Sequence, residues 1–133
     1  MAKQYLALDV GERRIGVASA SSDVKIAVPG DWIDVDGKEL DAIREILIDE
    51  SIDVLVVGYP RNQRGEPTAQ TRYVENFVDS LGQIESDVVF QDESLTSVKA
   101  ENILASQKRP YSKGEIDSMA ASIILQDYLE ENF

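Results

Sequence analysis

The sequence predicts an α/β fold in which a mixed five-stranded sheet carries helices on both faces. Short apolar runs that resemble strands recur along the 133 residues, and the later runs alternate with segments whose apolar residues return at helical spacing. The predicted order of elements is β-β-β-α-β-α-β-α-α. Three antiparallel strands followed by α/β crossovers build such a sheet, and because no repeat or linker interrupts the chain we predict one domain over residues 1–133.

The first half of the chain supplies the antiparallel strands and one helix. Residues 5–9 and 15–18 are two apolar runs separated by a glycine-containing turn, which predicts a hairpin. Residues 31–35 alternate apolar and acidic side chains, as an exposed edge strand does. Residues 38–50 place Leu40, Ile43 and Leu47 on one helical face.

The second half supplies the crossovers. Residues 54–57 are continuously apolar and mostly β-branched, which predicts a strand buried on both faces, and residues 88–90 predict another buried strand. Pro67 is well placed to open the helix between them. Two further helices follow, one capped by Thr96 or Ser97 and one over residues 115–130.

Composition limits the chemistry. The chain has no cysteine and no histidine, which excludes disulfides, thiolate zinc sites and histidine-based catalysis. Catalysis would have to use carboxylates, Lys, Tyr, Ser/Thr or a metal held by oxygen, and oxygen ligands favour Mg²⁺ or Mn²⁺. No apolar run approaches the ~20 residues of a membrane span, and no cleavage-type signal follows the first residues, so we expect a cytoplasmic protein without a membrane partner.

The charge is unevenly distributed. The net charge of −12 argues against a nucleic-acid partner, but residues 21–60 hold ten of the acids, whereas residues 61–72 hold three arginines and one acid. Residues 108–113 form a second basic stretch without acids. Such a surface can turn one face toward phosphates, although scattered surface charge is an equally open interpretation.

Three acids occupy conspicuous places. Asp9 closes the first predicted strand, Glu93 closes the last, and Asp117 interrupts the apolar face that the final helix presents through Ala121 and Ile124. Converging carboxylates repel one another and persist only if they are protonated, paired with a cation or bound to metal. The alternative stays open that the first two are turn residues and the third a helix-cap acid.

Four motifs in order resemble the YqgF family of pre-16S rRNA nucleases, also called Holliday junction resolvase-like proteins. The resemblance covers nearly the whole chain. The motifs are Leu8-Asp9-Val10-Gly11 with Arg14-Ile15-Gly16-Val17-Ala18, Val57-Gly58-Tyr59-Pro60 with Asn62 and Gly65, Asp92-Glu93-Ser94-Leu95-Thr96-Ser97, and Lys113-Gly114-Glu115-Ile116-Asp117-Ser118 with Ala120, Ala121 and Ile123-Ile124-Leu125.

The resemblance implies a ribonuclease H-like fold and a junction-resolvase type of active site. It implies that Asp9, Glu93 and Asp117 are catalytic metal ligands, and that the chain trims the 5′ end of pre-16S rRNA in the cytoplasm. Two departures stand out: Ser94 replaces the family's usual arginine, and Arg61 and Arg64 replace apolar and acidic residues. The first puts one phosphate or structural contact in doubt, and the second adds basic character.

The mechanism expected from these residues is two-metal phosphodiester hydrolysis, with two Mg²⁺ or Mn²⁺ ions about 3.5–4 Å apart. Candidate contacts to the nucleic-acid backbone are Arg13, Arg14, Arg61, Arg64 and Lys113. Two alternatives stay open: a structure-selective resolvase of DNA junctions, which would need a symmetric dimer, and a non-catalytic RNA-binding assembly factor. A monomer and a homodimer are both compatible with the sequence.

Overall fold

One twisted sheet with helices on both faces forms the molecule, as the sequence predicts. The structure is a computed structural model that describes residues 2–62, 64–93 and 96–133, with only the backbone of residues 96 and 97. The question of Ser94 and the predicted cap at Thr96 or Ser97 therefore lie outside the described residues and side chains. The elements in chain order are β1 Gln4–Val10, β2 Arg14–Ser21, β3 Val28–Pro29, β4 Ile33–Asp34, α1 Glu39–Asp49, β5 Val54–Pro60, α2 Ala69–Ser80, β6 Asp87–Glu93, α3 Thr96–Ser106 and α4 Lys113–Asn132.

The strand order is β3-β2-β1-β5-β6, and β4 also pairs with β2. β1 is antiparallel to β2 but parallel to β5, and β5 is parallel to β6. The carboxyl ends of three neighbouring strands therefore meet at one edge of the sheet. We call this edge the catalytic edge, because Asp9 and Glu93, which the sequence predicts to be catalytic, lie there together with Gly58.

Side chains alternate across the sheet and supply two cores. Leu6 and Leu8 of β1 face α1 and α2, whereas Tyr5 and Ala7 face α4. The α4 side uses small residues, since Ala7, Ala18 and Ala121 are fully buried between sheet and helix. Small side chains let the helix approach the strands closely.

Three details differ from the sequence prediction. The sheet described has six strands, because an unpredicted short strand, β3, precedes the expected third strand. Of the expected residues 31–35 only Ile33–Asp34 form a strand, β4, and β3 and β4 pair with different parts of β2. Between them Gly30 donates its N–H to the Val17 carbonyl at 2.7 Å, and Trp32 leaves the sheet to pack on Gly114 of α4. The chain therefore turns away from regular pairing in order to cover the start of that helix.

The second difference is β6, which was predicted to be buried. It is the terminal strand, paired on one side with β5, and the ring of Phe90 is 45% exposed. A short apolar run looks the same in an edge strand as in a central one. The third difference concerns helix starts: Thr68, rather than Pro67, caps α2, and Ser112 caps an α4 that begins at Lys113.

Within the described residues, no helix combines the length and the apolar character needed to cross a membrane.

Candidate active site

The parallel strands bring two of the three acids to the catalytic edge. Asp9 lies near the end of β1 and Glu93 ends β6, on the side of the sheet that α4 covers. Between them, β5 contributes Gly58. A Cβ at Gly58 would lie 3.1 Å from Oε2 of Glu93 and 2.7 Å from Cδ1 of Ile124. The missing side chain therefore leaves the space that the Glu93 carboxylate uses.

The third acid, Asp117, belongs to α4. Gly16 of β2 is the register partner of Asp9, and a Cβ at Gly16 would overlap the backbone carbonyl of Asp117. The helix thus rests directly on strand backbone at this point. The Val17 N–H donates to Oγ of Ser118 at 3.3 Å and fixes the rotation of the helix, so that Asp117 stands over Asp9.

The clustering of charge is strong enough to change protonation. Partial burial, followed by the charges of Glu93 and then Asp117, raises the pKa of Asp9 to about 8. At neutral pH the metal-free site therefore holds a proton where an ordinary aspartate would be ionised. A divalent cation supplies the same neutralisation and would displace that proton.

The guanidinium of Arg14 already supplies a positive charge to this cluster of acids. Nε of Arg14 donates to Oδ2 of Asp117 at 2.8 Å, and both side chains are mostly shielded from solvent. The sequence singled out Arg14 as a phosphate contact. The structure instead places it beside a candidate metal ligand, where its positive charge offsets the negative charge of Asp117.

The donor set fits a hard divalent cation in type, because carboxylate oxygens are the ligands that Mg²⁺ and Mn²⁺ prefer. The raised pKa of Asp9 likewise marks a site that gains from added positive charge. Across residues 2–62, 64–93 and 96–133, no three carboxylates are grouped tightly enough to hold a metal ion as they stand. Arg14 occupies one oxygen of Asp117, so a metal bound to this carboxylate would compete with the guanidinium for its negative charge.

Replacing Arg14 should test this competition. In the metal-free protein, Arg14→Gln leaves Asp117 without its cation and should lower stability by roughly 1–2 kcal/mol, between the values of exposed and buried pairs. Mg²⁺ should restore more stability to the variant than to the unchanged protein, because it no longer competes with the guanidinium. The measurement is the Tm with Mg²⁺ and with a chelator.

Arg109→Gln is the matched control, since Arg109, which precedes α4, forms an ion pair at 2.9 Å with Glu115 of the helix that carries Asp117. Its effect on Tm should be the same with and without Mg²⁺. An equal Mg²⁺ response in Arg14→Gln and the unchanged protein would contradict the competition.

The other predicted binding residues are spread around the catalytic edge. Arg13, Arg64 and Lys113 are exposed, at the end of the first hairpin turn, in the loop after β5 and at the start of α4. Arg61 is also exposed, but its Nε lies 3.4 Å from Oδ1 of Asp92. The structure therefore brings these basic side chains to the same end of the sheet as the acids.

Asp92 and Glu93 point to opposite faces of β6. The Asp92 side chain is 70% exposed and contacts Arg61, away from Asp9. Glu93 lies against Gly58 and acts on Asp9 electrostatically. Of the two neighbours, Glu93 is the one that shares a face with the other candidate ligands.

Sequence reasoning missed the two glycines that shape the site. Gly16 and Gly58 were noticed only as parts of motifs, yet each stands where a neighbouring backbone or carboxylate approaches the strand. A glycine inside a strand is itself the signal for such an approach. No comparable pattern in the sequence indicated that Trp32 would pack on Gly114.

Comparisons with known proteins agree with this architecture. A family model described as "RuvX: Holliday junction resolvase" matches residues 3–131. A protein from Chloroflexus aurantiacus, called "Putative pre-16S rRNA nuclease", is 43% identical over 130 residues, covering 94% of this chain and 85% of the relative. A protein of the same name from Sulfurihydrogenibium sp. is 38% identical over 130 residues, covering 96% and 90%.

Among solved structures, RuvC from T. thermophilus in complex with a Holliday junction substrate superposes with a TM-score of 0.59, over 97% of this chain and 94% of that chain. The identity is 13%, so this likeness shows the fold alone. The expected ribonuclease H-like fold is thereby confirmed.

Proposed function

The chain belongs to the RuvX family of Holliday junction resolvases, and from this premise we propose that it is a metal-dependent endonuclease that processes the 5′ end of pre-16S rRNA. The observation that carries the proposal is the placement of Asp9, Glu93 and Asp117, from β1, β6 and α4, at one end of the sheet. Burial, followed by the charges of Glu93 and then Asp117, raises the pKa of Asp9 there to about 8. The choice of RNA rests on relatives at 38–43% identity that bear the pre-16S rRNA nuclease name.

In this proposal the three carboxylates hold two Mg²⁺ or Mn²⁺ ions. Bound there, the metals would activate a water molecule and stabilise the leaving oxygen of the phosphodiester. Arg14 positions Asp117 until the metal-bound state forms, and Gly16 holds α4 against β2 so that Asp117 faces Asp9. The missing histidines are no obstacle, because carboxylates perform the ligand role.

A DNA-junction resolvase is the second candidate. It is favoured by the description of the matching family. A non-catalytic assembly factor is disfavoured, because a fold that has lost turnover gains nothing from keeping three mutually repelling carboxylates together.

Single-turnover cleavage assays separate the three candidates. The substrates are a pre-16S RNA fragment with its 5′ extension and a four-way DNA junction, each incubated with Mg²⁺ or a chelator. We expect Mg²⁺-dependent cleavage of the RNA. Cleavage of the junction alone would replace the proposal by the resolvase function, and binding without cleavage of either would support the assembly factor.

The neighbouring acids on β6 should differ sharply. Glu93→Gln should abolish most cleavage, because it removes a carboxylate from the cluster. Asp92→Asn should lower the cleavage rate only modestly, because it weakens no more than an exposed ion pair with Arg61. Rates under single-turnover conditions decide between them. A larger loss for Asp92→Asn would reverse the assignment of the metal ligand.

The basic residues at the catalytic edge should give salt-dependent binding. We propose that Arg13, Arg64 and Lys113 contact phosphates, so each contact contributes about −0.7 to the log–log slope of affinity against salt for a single strand. Alanine at each position should flatten the slope, and Ca²⁺ should strengthen binding relative to a chelator because it reverses the local charge.

Lys3→Ala is the control, since Lys3 is exposed and lies just before β1, at the opposite edge of the sheet. A nucleic-acid affinity that changes neither with salt concentration nor with divalent cation would rule out the phosphate contacts.

A further inference from the structure

Two neighbouring aromatic side chains lie near the catalytic edge, on the face of the sheet opposite to α4. Tyr59 of β5 and Phe90 of β6 pack together there with their ring centroids 5.0 Å apart and their planes tilted by 59°. The guanidinium of Arg61 lies 5.0 Å from the Tyr59 ring centroid. We call these three side chains the aromatic platform. They border an open cleft of about 480 Å³.

The platform is held in place by its surroundings. Nε of Arg61 also approaches Asp92, the register partner of Tyr59, at 3.4 Å. The hydroxyl of buried Thr71 donates to the Pro60 carbonyl and ties the end of β5 to the start of α2. These contacts restrain Arg61 and the end of β5 next to the rings, and a restrained site loses less conformational freedom when a ligand binds.

Phe90 is exposed on a strand that also carries a candidate metal ligand. Phe90 is 45% exposed, and β6 is the terminal strand of the sheet. The same strand ends three residues later at Glu93, so the platform is adjacent to the candidate metal ligands across the sheet edge. A strand of nucleic acid that leaves the catalytic side can pass over this edge and reach the rings.

The chemistry of the cleft favours a base over a phosphate. Besides Arg61, its charged lining residues are Glu75, Asp92 and Glu131, which repel a phosphate but accept hydrogen bonds from the amino groups of bases. Aromatic rings and a guanidinium plane are the surfaces on which unpaired bases stack. Bases inside a duplex are not available for such stacking.

We propose that the aromatic platform is a stacking subsite for an unpaired nucleobase that flanks the cleaved phosphodiester. This rests on the proposed nuclease function and specifies its substrate further: a single-stranded segment next to the cleavage site. The platform adds affinity and position, while the carboxylate cluster performs the chemistry.

The test is a binding cycle between a side chain and a base. The probe is a single-stranded RNA spanning the cleavage site, bound to the full chain carrying Asp9→Asn, with Ca²⁺ present. Phe90→Ala in this background should weaken binding between about fivefold and a hundredfold, the range found when one base loses its aromatic partner. Phe90→Trp should retain affinity, which separates stacking from damage to the fold.

Single abasic nucleotides are then placed along the RNA. At one position next to the cleavage site, removal of the base should weaken RNA binding to the protein that retains Phe90 as much as Phe90→Ala does. The Phe90→Ala protein should bind this abasic RNA no more weakly than it binds the intact RNA. Phe133→Ala is the matched control, because Phe133 is 58% exposed and has a cation, Lys25, 5.2 Å from its ring, at the other end of the sheet.

Unchanged RNA affinity in Phe90→Ala, or additive effects at every abasic position, would overturn the subsite while leaving the nuclease function intact. Mg²⁺-dependent cleavage by the chain with Asp9 present, assayed in parallel, reports on that function separately. If the chain binds no nucleic acid at all, both proposals fail.

Discussion

Asp9→Asn is expected to lower cleavage by at least about a hundredfold and at the same time to stabilise the metal-free protein. Asp9 is proposed to bind the metal directly, and the loss of a group that merely hydrogen-bonds to a metal ligand already costs about 10–100-fold. The gain in stability has a different origin, since asparagine is neutral in the folded and the unfolded protein. It therefore needs no proton in order to lie in the buried position beside Glu93 and Asp117, whereas Asp9 does. Opposite changes in activity and stability are typical of a residue kept for function.

The pH dependence of stability provides a second test of the raised pKa of Asp9, because the direction of the change can be predicted. The pKa of Asp9 is raised from 3.8 to about 8, so the folded protein keeps a proton that the unfolded chain has released. Stability of the metal-free protein should therefore fall as the pH rises from about 4 to about 8, and most of this fall should disappear in Asp9→Asn. Tm measured across this range with a chelator checks it.

Two controls make the result specific. Asp127 also has a raised pKa, mainly because of burial, but its contribution is common to both proteins and cancels in the difference. Asp23→Asn changes an exposed aspartate and should alter neither cleavage nor the pH profile. Identical pH profiles for Asp9→Asn and the unchanged protein would show that Asp9 is not under electrostatic strain.

Gly16→Ala is expected to have the largest structural effect of a single methyl group. Its Cβ would overlap the Asp117 carbonyl and approach the Ser118 nitrogen to 2.8 Å. Both atoms belong to the α4 backbone, so no side-chain rotation can relieve the contact. We expect a loss of about 1–3 kcal/mol, measured by denaturant unfolding.

Cleavage by Gly16→Ala should fall further than stability alone explains, because a displacement of about 1 Å at a catalytic group can cost about a hundredfold. Excess Mg²⁺ should not restore it. Gly30→Ala is the control, since its Cβ would meet the Val17 carbonyl at an ordinary 3.6 Å. Full stability in Gly16→Ala would mean that α4 does not rest on β2 as the structure shows.

The sequence predicted the framework of the site because that framework is local. Period-two and helical patterns locate the ends of β1 and β6 and the inward face of α4, and these positions fix where Asp9, Glu93 and Asp117 lie. The ion pair of Arg14 with Asp117 joins positions 103 residues apart, and no local pattern encodes it. The exposure of Phe90 was missed for a related reason, since it depends on which strands lie beside β6.

The docking of α4 on the first hairpin also has a consequence for folding. Arg14 and Asp117, like Val17 and Ser118, are joined across more than 100 residues of intervening chain. Contacts between such distant segments are slow to form, because the chain entropy is lost before they contribute. A nascent chain can therefore fold its hairpin early, yet it holds an incomplete set of carboxylates until the last helix has been synthesised. Cleavage competence should accordingly appear late in refolding, with the protection of the α4 amides from hydrogen exchange rather than with that of the hairpin amides.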